Sequence, residues 1–485
     1  MIVVKILFVI GALFSANALL ATPKVDTSND RVKTKIVVPY KKLGVLKPKN
    51  VSQTKNNITV GCETLDRDYA NYDCYKEYLT HLGARKIRLQ GGWAKTEKQK
   101  GHYDFNWLDN IINDAVSRGI TPLLQTSYGN PIYVGGGTPF LAGGMPSSPE
   151  ALIAWDKWVA EMAKRYAGKV EWEMWNEPDI RSITQKHRIA TVKNNIRTAE
   201  IIKKYDANAK IAALSLAKLN PKFLEEHLKL FVKAGKLDMF TWVSYHGYRY
   251  RPEDSYFEVD EMRSVLKKYS SKVILRQGEN GAPSKGFFGG ALSKYNWSEL
   301  TQAKWDLRRM LGDWGRGIET CVFSISDMHY SKNDAIKVNN VKGLLQTDEN
   351  HKVVHIKMAY YVVQNLVSVF DILDEQKGKF IVDKKYAEQI NSFGYLDVDS
   401  KIPVYTIWFG DLIPTEHNIT MPVNATLPNG AKISSPIWID ILTGGVYEIP
   451  AGDIQRNGDS LLIKNLPIYD SPIIVTDKSI VDFVR

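Results

Sequence analysis

The sequence predicts an α/β protein that consists of a (β/α)8 TIM barrel followed by a small all-β, sandwich-like domain. From residue 57 to residue 371, eight short apolar runs alternate with amphipathic helical stretches, which indicates parallel βα units. From residue 372 to residue 485 the hydrophobic periodicity changes to two, and turns rich in Gly, Pro and Asn separate the segments. The alternative is a doubly wound open sheet, but the chain lacks the glycine-rich phosphate loop that usually accompanies that fold.

The individual elements of the barrel follow from this alternation. Strands are predicted at 58–62, 86–89, 121–126, 170–175, 210–214, 239–245, 273–276 and 320–324. Helices are predicted at 106–118, 148–166, 192–205, 222–233, 260–270, 298–311 and 353–369. Active sites of such barrels lie at the C-terminal ends of the strands, so side chains that directly follow a strand are the first to consider for function.

Positive charge is concentrated at the N-terminus. The 485 residues carry 64 Lys and Arg against 53 Asp and Glu, which gives a formal net charge of +11. Residues 1–56 hold ten of the basic residues and two acidic ones, so this segment accounts for +8 and the remainder for +3. We interpret residues 23–56 as a solvated basic linker. The remainder shows no basic face with stacking aromatic residues, so we predict no nucleic-acid partner.

Residues 1–22 have the layout of a secretory signal peptide. Lys5 precedes a short apolar run at 6–14, and small residues that suit cleavage follow, among them Ala18 and Ala21. The alternative is an uncleaved membrane anchor, although the run is short for a span of about 20 residues. We therefore expect a secreted or periplasmic protein with no stable membrane insertion after signal cleavage.

The three cysteines rule out a disulfide-stapled scaffold and have no metal-ligand spacing. Buried free thiols are the simplest interpretation of Cys62, Cys74 and Cys321. A Cys62–Cys74 disulfide is the alternative in an oxidising compartment. We predict that the protein binds no metal.

Two glutamates directly follow predicted strands. Glu177 stands in Trp175-Asn176-Glu177-Pro178, where the proline ends the fourth strand. Glu279 follows the seventh strand and precedes an Asn-Gly turn. In an eight-stranded barrel these two strand ends face each other across the central cavity. Two carboxyl groups across a cavity are what glycosidic bond cleavage requires, one as a neutral acid and one as an ionised group.

The Trp-Asn-Glu-Pro sequence at strand four, with Glu279 at strand seven, resembles the retaining glycoside hydrolases of clan A, which are (β/α)8 barrels. The Gly-His-Tyr-Asp-Phe sequence at 101–105 resembles the same clan, and the all-β tail resembles its family 39-like, β-xylosidase-type members. The resemblance covers about residues 57–370. It implies that Glu177 is the acid/base, that Glu279 is the nucleophile, and that no cofactor is required.

The same resemblance implies roles for further side chains. Asn176 matches the asparagine that binds the sugar 2-hydroxyl. His246 and Tyr248 match a His-x-Tyr sequence at strand six, in which the tyrosine hydroxyl holds the nucleophile in line. Arg88 matches a strand-two arginine beside the nucleophile, and such a guanidinium keeps a carboxylate anionic. Alternatives remain open: Arg88 as a structural cap, His246 as a core residue, and Tyr245 in place of Tyr248.

Aromatic and amide side chains in the predicted βα loops are expected to contact the sugar. Trp93 and Tyr128 are expected to stack on it, and Asn130 is expected to make a polar contact. One departure from the clan lies in the eighth strand, which has no tryptophan where many members have one. The residues that could replace it are Phe323, Met328 and His329.

The function predicted from the sequence is that of a secreted retaining β-glycosidase. It would hydrolyse O-glycosidic bonds in plant- or microbial-type glycans by a two-carboxylate double displacement, with carbohydrate as its substrate. One alternative is a catalytically silent glycan-binding protein on the same barrel, and another is a transglycosylase. The sequence leaves open the sugar, its linkage, exo or endo action, the role of the β-domain and the oligomeric state.

Overall fold

The computed structural model describes residues 23–25, 32–180, 184–371, 373–376 and 378–485. The predicted signal peptide, residues 1–22, lies outside this part of the chain. Within the described residues, no helix combines the length and the apolar character that crossing a membrane requires. A barrel and a β-domain share one continuous hydrophobic core.

The first strand, β1 (Lys41–Leu46), lies in the segment that we expected to be a solvated linker. It pairs antiparallel with two C-terminal strands, Gly445–Glu448 and Phe483–Val484. Its first two residues are exposed lysines, and its last three are buried. A Cβ at Gly44 would lie 2.0 Å from the carbonyl oxygen of Val484, so the close pairing requires glycine. The linker interpretation is therefore wrong for these residues, because a short buried stretch was hidden among lysines.

Eight parallel strands form the barrel, and this confirms the predicted fold class. They are β2 (Thr59–Gly61), β3 (Lys86–Gln90), β4 (Thr121–Gln125), β5 (Glu171–Glu173), β6 (Ile211–Leu216), β7 (Trp242–Tyr245), β8 (Ile274–Gln277) and β9 (Cys321–Val322). Hydrogen-bonded neighbours run in chain order from β2 to β8, and β9 pairs with β2. Parallel bridges between Arg276 and Glu319 and between Asn280 and Val322 connect β8 to β9. The three cysteines are free thiols.

Helices surround the barrel; seven of them overlap the seven predicted, α5 begins seven residues earlier than predicted, and α1 and α2 were not predicted. They are α1 (Tyr72–Leu82), α2 (Trp93–Thr96), α3 (Asn106–Ser117), α4 (Pro149–Tyr166), α5 (Gln185–Tyr205), α6 (Pro221–Lys233), α7 (Tyr256–Tyr269), α8 (Glu299–Trp314) and α9 (Met358–Val369). Several begin at a side-chain cap. Ser148 caps α4 and Ser298 caps α8, each by accepting a hydrogen bond from the backbone three residues on.

The predicted helix at 353–369 is wrong at its start. Strand β10 (Leu345–Thr347) and strand β11 (Val353–Ile356) form an antiparallel hairpin, and α9 begins only at Met358. The start of β11 is a Val-Val pair, and β-branched residues favour a strand over a helix. The apolar pattern alone did not separate the two elements.

The C-terminal domain consists of antiparallel sheets, as predicted. Its strands are β12 (Leu373–Gln376), β13 (Ile381–Val382), β14 (Ile390–Asp397), β15 (Pro403–Phe409), β16 (Met421–Leu427), β17 (Pro436–Asp440), β18 (Gly445–Glu448), β19 (Ile454–Asn457), β20 (Ser460–Ile468), β21 (Ile473–Asp477) and β22 (Phe483–Val484). One sheet has the order β12-β14-β15-β21-β17-β18-β1-β22, and the other has the order β13-β16-β20-β19.

Buried polar contacts attach the β-domain to the barrel. Lys304 on α8 donates to Oδ1 of Asp470 at 2.6 Å. Glu253 accepts from Arg308 and, at 2.8 Å, from the indole Nε1 of Trp408. Lys304, Arg308 and Trp408 are buried, and each lysine or arginine faces a carboxylate, so the β-domain is held against the side of the barrel.

Candidate active site

Both predicted glutamates directly follow barrel strands. Glu177 follows β5 and Glu279 follows β8, the fourth and seventh strands of the barrel. The backbone of Glu177 has a φ of 48°, a left-handed conformation that is uncommon outside glycine. Its N–H donates to the carbonyl of Ser215 at 2.9 Å, which holds this conformation. Backbone strain of this kind is concentrated at functional sites.

The carboxyl groups of Glu177 and Glu279 lie close together. One oxygen of each and a ring nitrogen of His246 all lie within 4.8 Å of one another. Nδ1 of His246 is 2.8 Å from Oε1 of Glu177 and 3.7 Å from Oε2 of Glu279. Carboxyl groups about 5–5.5 Å apart are typical of retaining glycosidases, and those about 6.5–9.5 Å apart of inverting ones. A pair of oxygens within 4.8 Å fits the shorter of these two separations.

Arg88 on β3 is fully buried beside Glu279 and connects its carboxylate to other side chains of the site. Its Nη1 donates to Oε2 of Glu279 at 2.8 Å and to Oε1 of Glu63 at 2.6 Å. Its Nη2 donates to Oδ1 of Asn176 at 2.8 Å, and its Nε donates to Oε2 of Glu173 at 2.5 Å. One guanidinium therefore orients the side chains that follow three different strands.

Tyr248 and Asn176 complete the surroundings of the carboxyl groups. The hydroxyl of Tyr248 donates to Oε1 of Glu279 at 3.0 Å, so both oxygens of this carboxylate are hydrogen-bonded. The amide of Asn176 donates to the hydroxyl of Tyr128 at 2.7 Å. Tyr245 is instead fully buried in the core. Of the two tyrosines considered for this contact, the geometry assigns it to Tyr248.

The pKa values of the two glutamates are shifted in opposite directions. Burial raises the pKa of Glu177; the hydrogen bond with His246 opposes this shift and the charge of Glu279 adds to it. Burial also acts to raise the pKa of Glu279, but the charges of His246 and Arg88 and the hydrogen bond from Tyr248 outweigh it and lower that pKa. One group is thus favoured as an acid and the other as an anion, which is the separation expected of an acid and a nucleophile.

A cavity of about 490 Å³ opens above the carboxyl groups. Glu177, Glu279, Asn176 and Tyr248 line it, together with residues from the loops around it. Among those expected to replace the missing tryptophan, Phe323 lines this cavity.

Two predicted sugar contacts lie away from this cavity, and the prediction for them was wrong. Trp93 is fully buried in an aromatic cluster, where its ring stacks on that of Tyr133 at 5.5 Å and its Nε1 donates to Glu97. The amide of Asn130 donates to the carbonyl of Glu97 at 2.8 Å. The short helix α2 places Trp93 in the core. The side chains of Trp93 and Asn130 are therefore buried outside the cavity lining. Tyr128 does line the cavity.

Glu63 is a site residue that the sequence interpretation missed. It is 2% exposed and lines the cavity, and its Oε2 has no hydrogen-bond partner among the described groups. Burial raises the pKa of Glu63 to about 7. The charge of Arg88 opposes this shift, and the charge of Glu279 adds to it. The signal was available, because Glu63 follows the first predicted strand as the other two glutamates follow theirs.

Lys342 is a second residue that was missed. It lies in the long loop between β9 and β10, and its buried side chain lines the cavity. Its Nζ is 5.8 Å from the centre of the Tyr248 ring. No strand end or periodic pattern marks this position, so the sequence carried no signal for it.

Glu177, His246 and Glu279 are close enough to hold a metal ion within the described part of the chain. Their other contacts disfavour a cation. The guanidinium of Arg88 occupies Oε2 of Glu279, and Nδ1 of His246 is engaged with Glu177. A metal bound here would lie beside a fixed positive charge, which repels it. The trio is better suited to holding and moving a proton.

Comparisons with known proteins agree on the fold. No family model matches the sequence, and curated proteins yield no match. A family 39 glycoside hydrolase from the gut symbiont Bacteroides cellulosilyticus has a TM-score of 0.59 at 17% identity, covering 87% of this chain and 81% of that chain. A monomeric β-xylosidase from Caulobacter crescentus has a TM-score of 0.55 at 12% identity, covering 92% of this chain and 98% of that chain.

A family 30 endoxylanase from Clostridium papyrosolvens is similar over a comparable length. Its TM-score is 0.52 at 12% identity, and the match covers 91% of this chain and 98% of that chain. The chain therefore has the barrel fold found in family 39 and family 30 glycoside hydrolases.

Proposed function

We propose that this protein is a retaining glycoside hydrolase that cleaves O-glycosidic bonds in plant- or microbial-type glycans. The observation that carries the proposal is the pair of carboxyl groups, Glu177 and Glu279, with oxygens within 4.8 Å and with pKa values shifted in opposite directions. A double displacement needs this combination, because one group must be protonated while its neighbour is ionised.

In the first step, the carboxylate of Glu279 attacks the anomeric carbon. The bond from that carbon to the glycosidic oxygen breaks, and the carboxyl proton of Glu177 goes to the departing oxygen. A glycosyl ester on Glu279 results. Tyr248 and Arg88 hold the two oxygens of Glu279, so this carboxylate is aimed before the substrate arrives.

In the second step, Glu177 acts as a base. Its carboxylate takes a proton from water, the water oxygen bonds to the anomeric carbon, and the ester bond to Glu279 breaks. Glu177 is again protonated and Glu279 is again ionised, so the cycle closes. Asn176 lines the same cavity as both carboxyl groups and would hold the sugar 2-hydroxyl, a contact that strengthens in the transition state.

The first experiment is an activity screen on aryl glycosides and polysaccharides. β-Xylosides and xylan belong in the panel because two of the proteins similar in fold are named as a β-xylosidase and an endoxylanase. Wild type should hydrolyse at least one substrate, and Glu279→Ala should lose about 10⁴-fold or more. Glu388→Gln, which changes an exposed glutamate of the β-domain, is the matched control.

Two outcomes would contradict the proposal. Wild-type turnover by Glu279→Ala would rule out the nucleophile. Glycan binding without hydrolysis of any substrate would favour a silent glycan-binding protein. Product analysis with an added acceptor sugar separates a hydrolase from a transglycosylase.

The proposed place of action is outside the cytoplasm. Lys5 and the apolar run at 6–14, which the structure does not describe, support this. Expression of the full chain in a secreting host should yield exported protein whose N-terminus, read by sequencing, begins near residue 22. Full-length protein retained in the cytoplasm would contradict the proposal.

A further inference from the structure

Among the residues that the structure describes, three lysine side chains are almost completely buried, and the ammonium groups of two of them are hydrogen-bonded to several acceptors. Nζ of Lys304 donates to Asp470 at 2.6 Å and to two backbone carbonyls. Nζ of Lys357 donates to Oδ1 of Asp327 at 2.6 Å, to Oγ of Ser284 and to one carbonyl. Burial of an ammonium group is costly unless such partners are present. Lys304 and Lys357 therefore have ordinary structural roles.

Lys342 differs from both. It is 2% exposed and lines the cavity, yet within the described chain its Nζ has no hydrogen bond and no ion pair. Its backbone is firmly held, because its N–H donates to Asn340 at 3.1 Å and its carbonyl accepts from Gln302 at 3.1 Å. The ammonium group is thus directed into the cavity by an anchored segment.

The neighbouring carboxylates do not account for this lysine. Burial lowers the pKa of Lys342 to about 8, while the charges of Glu279 and Asp306 act to raise it. Neither carboxylate forms an ion pair with it. Glu279 already has Arg88 and Tyr248 on its two oxygens. The charge of Lys342 is therefore not needed to hold the nucleophile in place.

The two arginine side chains that line the cavity each donate a hydrogen bond to a carboxylate. Nη1 of Arg67 donates to Asp334 at 3.0 Å, and Nη2 of Arg249 donates to Glu258 at 3.1 Å. Lys218 also lines the cavity, but it is exposed to solvent. Within the described part of the chain, Lys342 is therefore the buried cation that lines the cavity without a bound anion. A group that supplies the missing anion would have to enter the cavity with the substrate.

We propose that Lys342 binds an anionic substituent of the substrate, either the carboxylate of a uronic acid or a sulfate ester on the sugar. This rests on the proposed glycosidase function and specifies its substrate class. A neutral sugar would leave the ammonium group buried and unpaired, whereas an anion would form a charge-assisted hydrogen bond with it. Lys342 is therefore a specificity residue for that reaction.

The test compares matched aryl glycosides: 4-nitrophenyl β-D-glucuronide, the corresponding glucoside and its 6-O-sulfate. The kcat/KM ratio of the charged over the neutral glycoside is measured for wild type, Lys342→Met, Lys342→Arg and the control Lys332→Met, an exposed lysine near the start of the same loop. Lys342→Met should lower the ratio about 10- to 100-fold, with Lys342→Arg close to wild type. The arm with the higher ratio identifies the anion as carboxylate or sulfate.

The outcomes separate this proposal from the proposed function. Hydrolysis of neutral glycosides with an unchanged ratio in Lys342→Met would overturn the role of Lys342 and leave the glycosidase intact. Calorimetric binding of D-glucuronate, glucose 6-sulfate and glucose gives a readout that does not depend on turnover. No preference for either anion in wild type would overturn the proposal even if no glycoside is cleaved. Thermal melting confirms that each variant is folded.

Discussion

Buried charges gather at both ends of the barrel, and the two ends differ in how those charges are matched. At the N-terminal end, Lys86 lies 3.0 Å from Glu171 and 3.2 Å from Glu319, and Arg276 contacts the same two glutamates. Two cations thus face two carboxylates, and the exposed Lys210 lies 3.8 Å from Glu171 as well. Although burial acts to raise the pKa of Glu171, Lys86 and Arg276 lower it, so the carboxylate stays ionised.

At the C-terminal end the acidic groups outnumber their cations. Among the described residues, Arg88 pairs with three carboxylates, those of Glu63, Glu173 and Glu279, and the only ion pair of Glu177 is with His246. The pKa values of Glu63 and Glu177 are raised, whereas that of Glu279 is lowered. Buried charge alone therefore does not indicate a functional site. An excess of buried carboxylates over cations beside a cavity does indicate one, because a purely structural ion-pair network does not require such an excess.

After the loss of the nucleophile Glu279, replacement of Glu177 should have the largest effect on catalysis. Glu177→Gln should lower kcat/KM about 10²- to 10⁴-fold on glycosides with poor leaving groups, because no proton reaches the departing oxygen. The loss should be much smaller on 2,4-dinitrophenyl glycosides, which need no such proton. Steady-state kinetics on both substrate types provides the measurement. An equal loss on both would contradict the acid role.

Removal of one arginine at each end tests most directly whether the two ends of the barrel act separately. Arg88→Met should destabilise the fold by about 3–5 kcal/mol, because it removes the guanidinium that three buried carboxylates share. Arg276→Met should destabilise it less, because Lys86 still pairs with Glu171 and Glu319. Only Arg88→Met should also raise the pKa of Glu279 and shift the pH profile of kcat/KM. Denaturant unfolding and pH–rate curves measure the two effects. A shifted profile in Arg276→Met would mean that the ends do not act separately.

Tyr248→Phe should have an intermediate effect. Wild type should show a bell-shaped pH profile, with its acidic limb set by Glu279, which must be ionised, and its basic limb set by Glu177, which must be protonated. Loss of the hydroxyl removes a hydrogen bond to the anion, so the acidic limb should move to higher pH and kcat/KM should fall about tenfold. A pH profile identical to that of wild type would contradict this role.

Replacement of Glu63 should have the smallest effect, and that effect should be on the stability of the fold. Because its folded pKa is raised to about 7, Glu63 stabilises the fold fully below its unfolded pKa and loses that contribution as pH rises toward 7. Glu63→Gln should remove this dependence and should melt higher than wild type at pH 8. Melting temperatures of both proteins from pH 4 to pH 8 provide the check. Parallel curves would mean that Glu63 does not hold a proton in the folded state.

The sequence predicted those features that follow from periodicity and strand ends. The barrel, the β-domain and the positions of Glu177 and Glu279 after strands four and seven could all be inferred in this way. Strand β1 could not, because lysines masked its three buried residues. Trp93 was misassigned because a single helical turn, α2, rotates it into the core. Lys342 depends on how a long loop folds back over the cavity, which no local pattern encodes.

The central claim is that Glu177 and Glu279 act together by double displacement. The most direct test is proton NMR of the first sugar released from a β-glycoside, recorded before mutarotation. The account predicts that the β-anomer appears first, since two displacements restore the configuration. Initial release of the α-anomer would mean a single displacement by water and would contradict it.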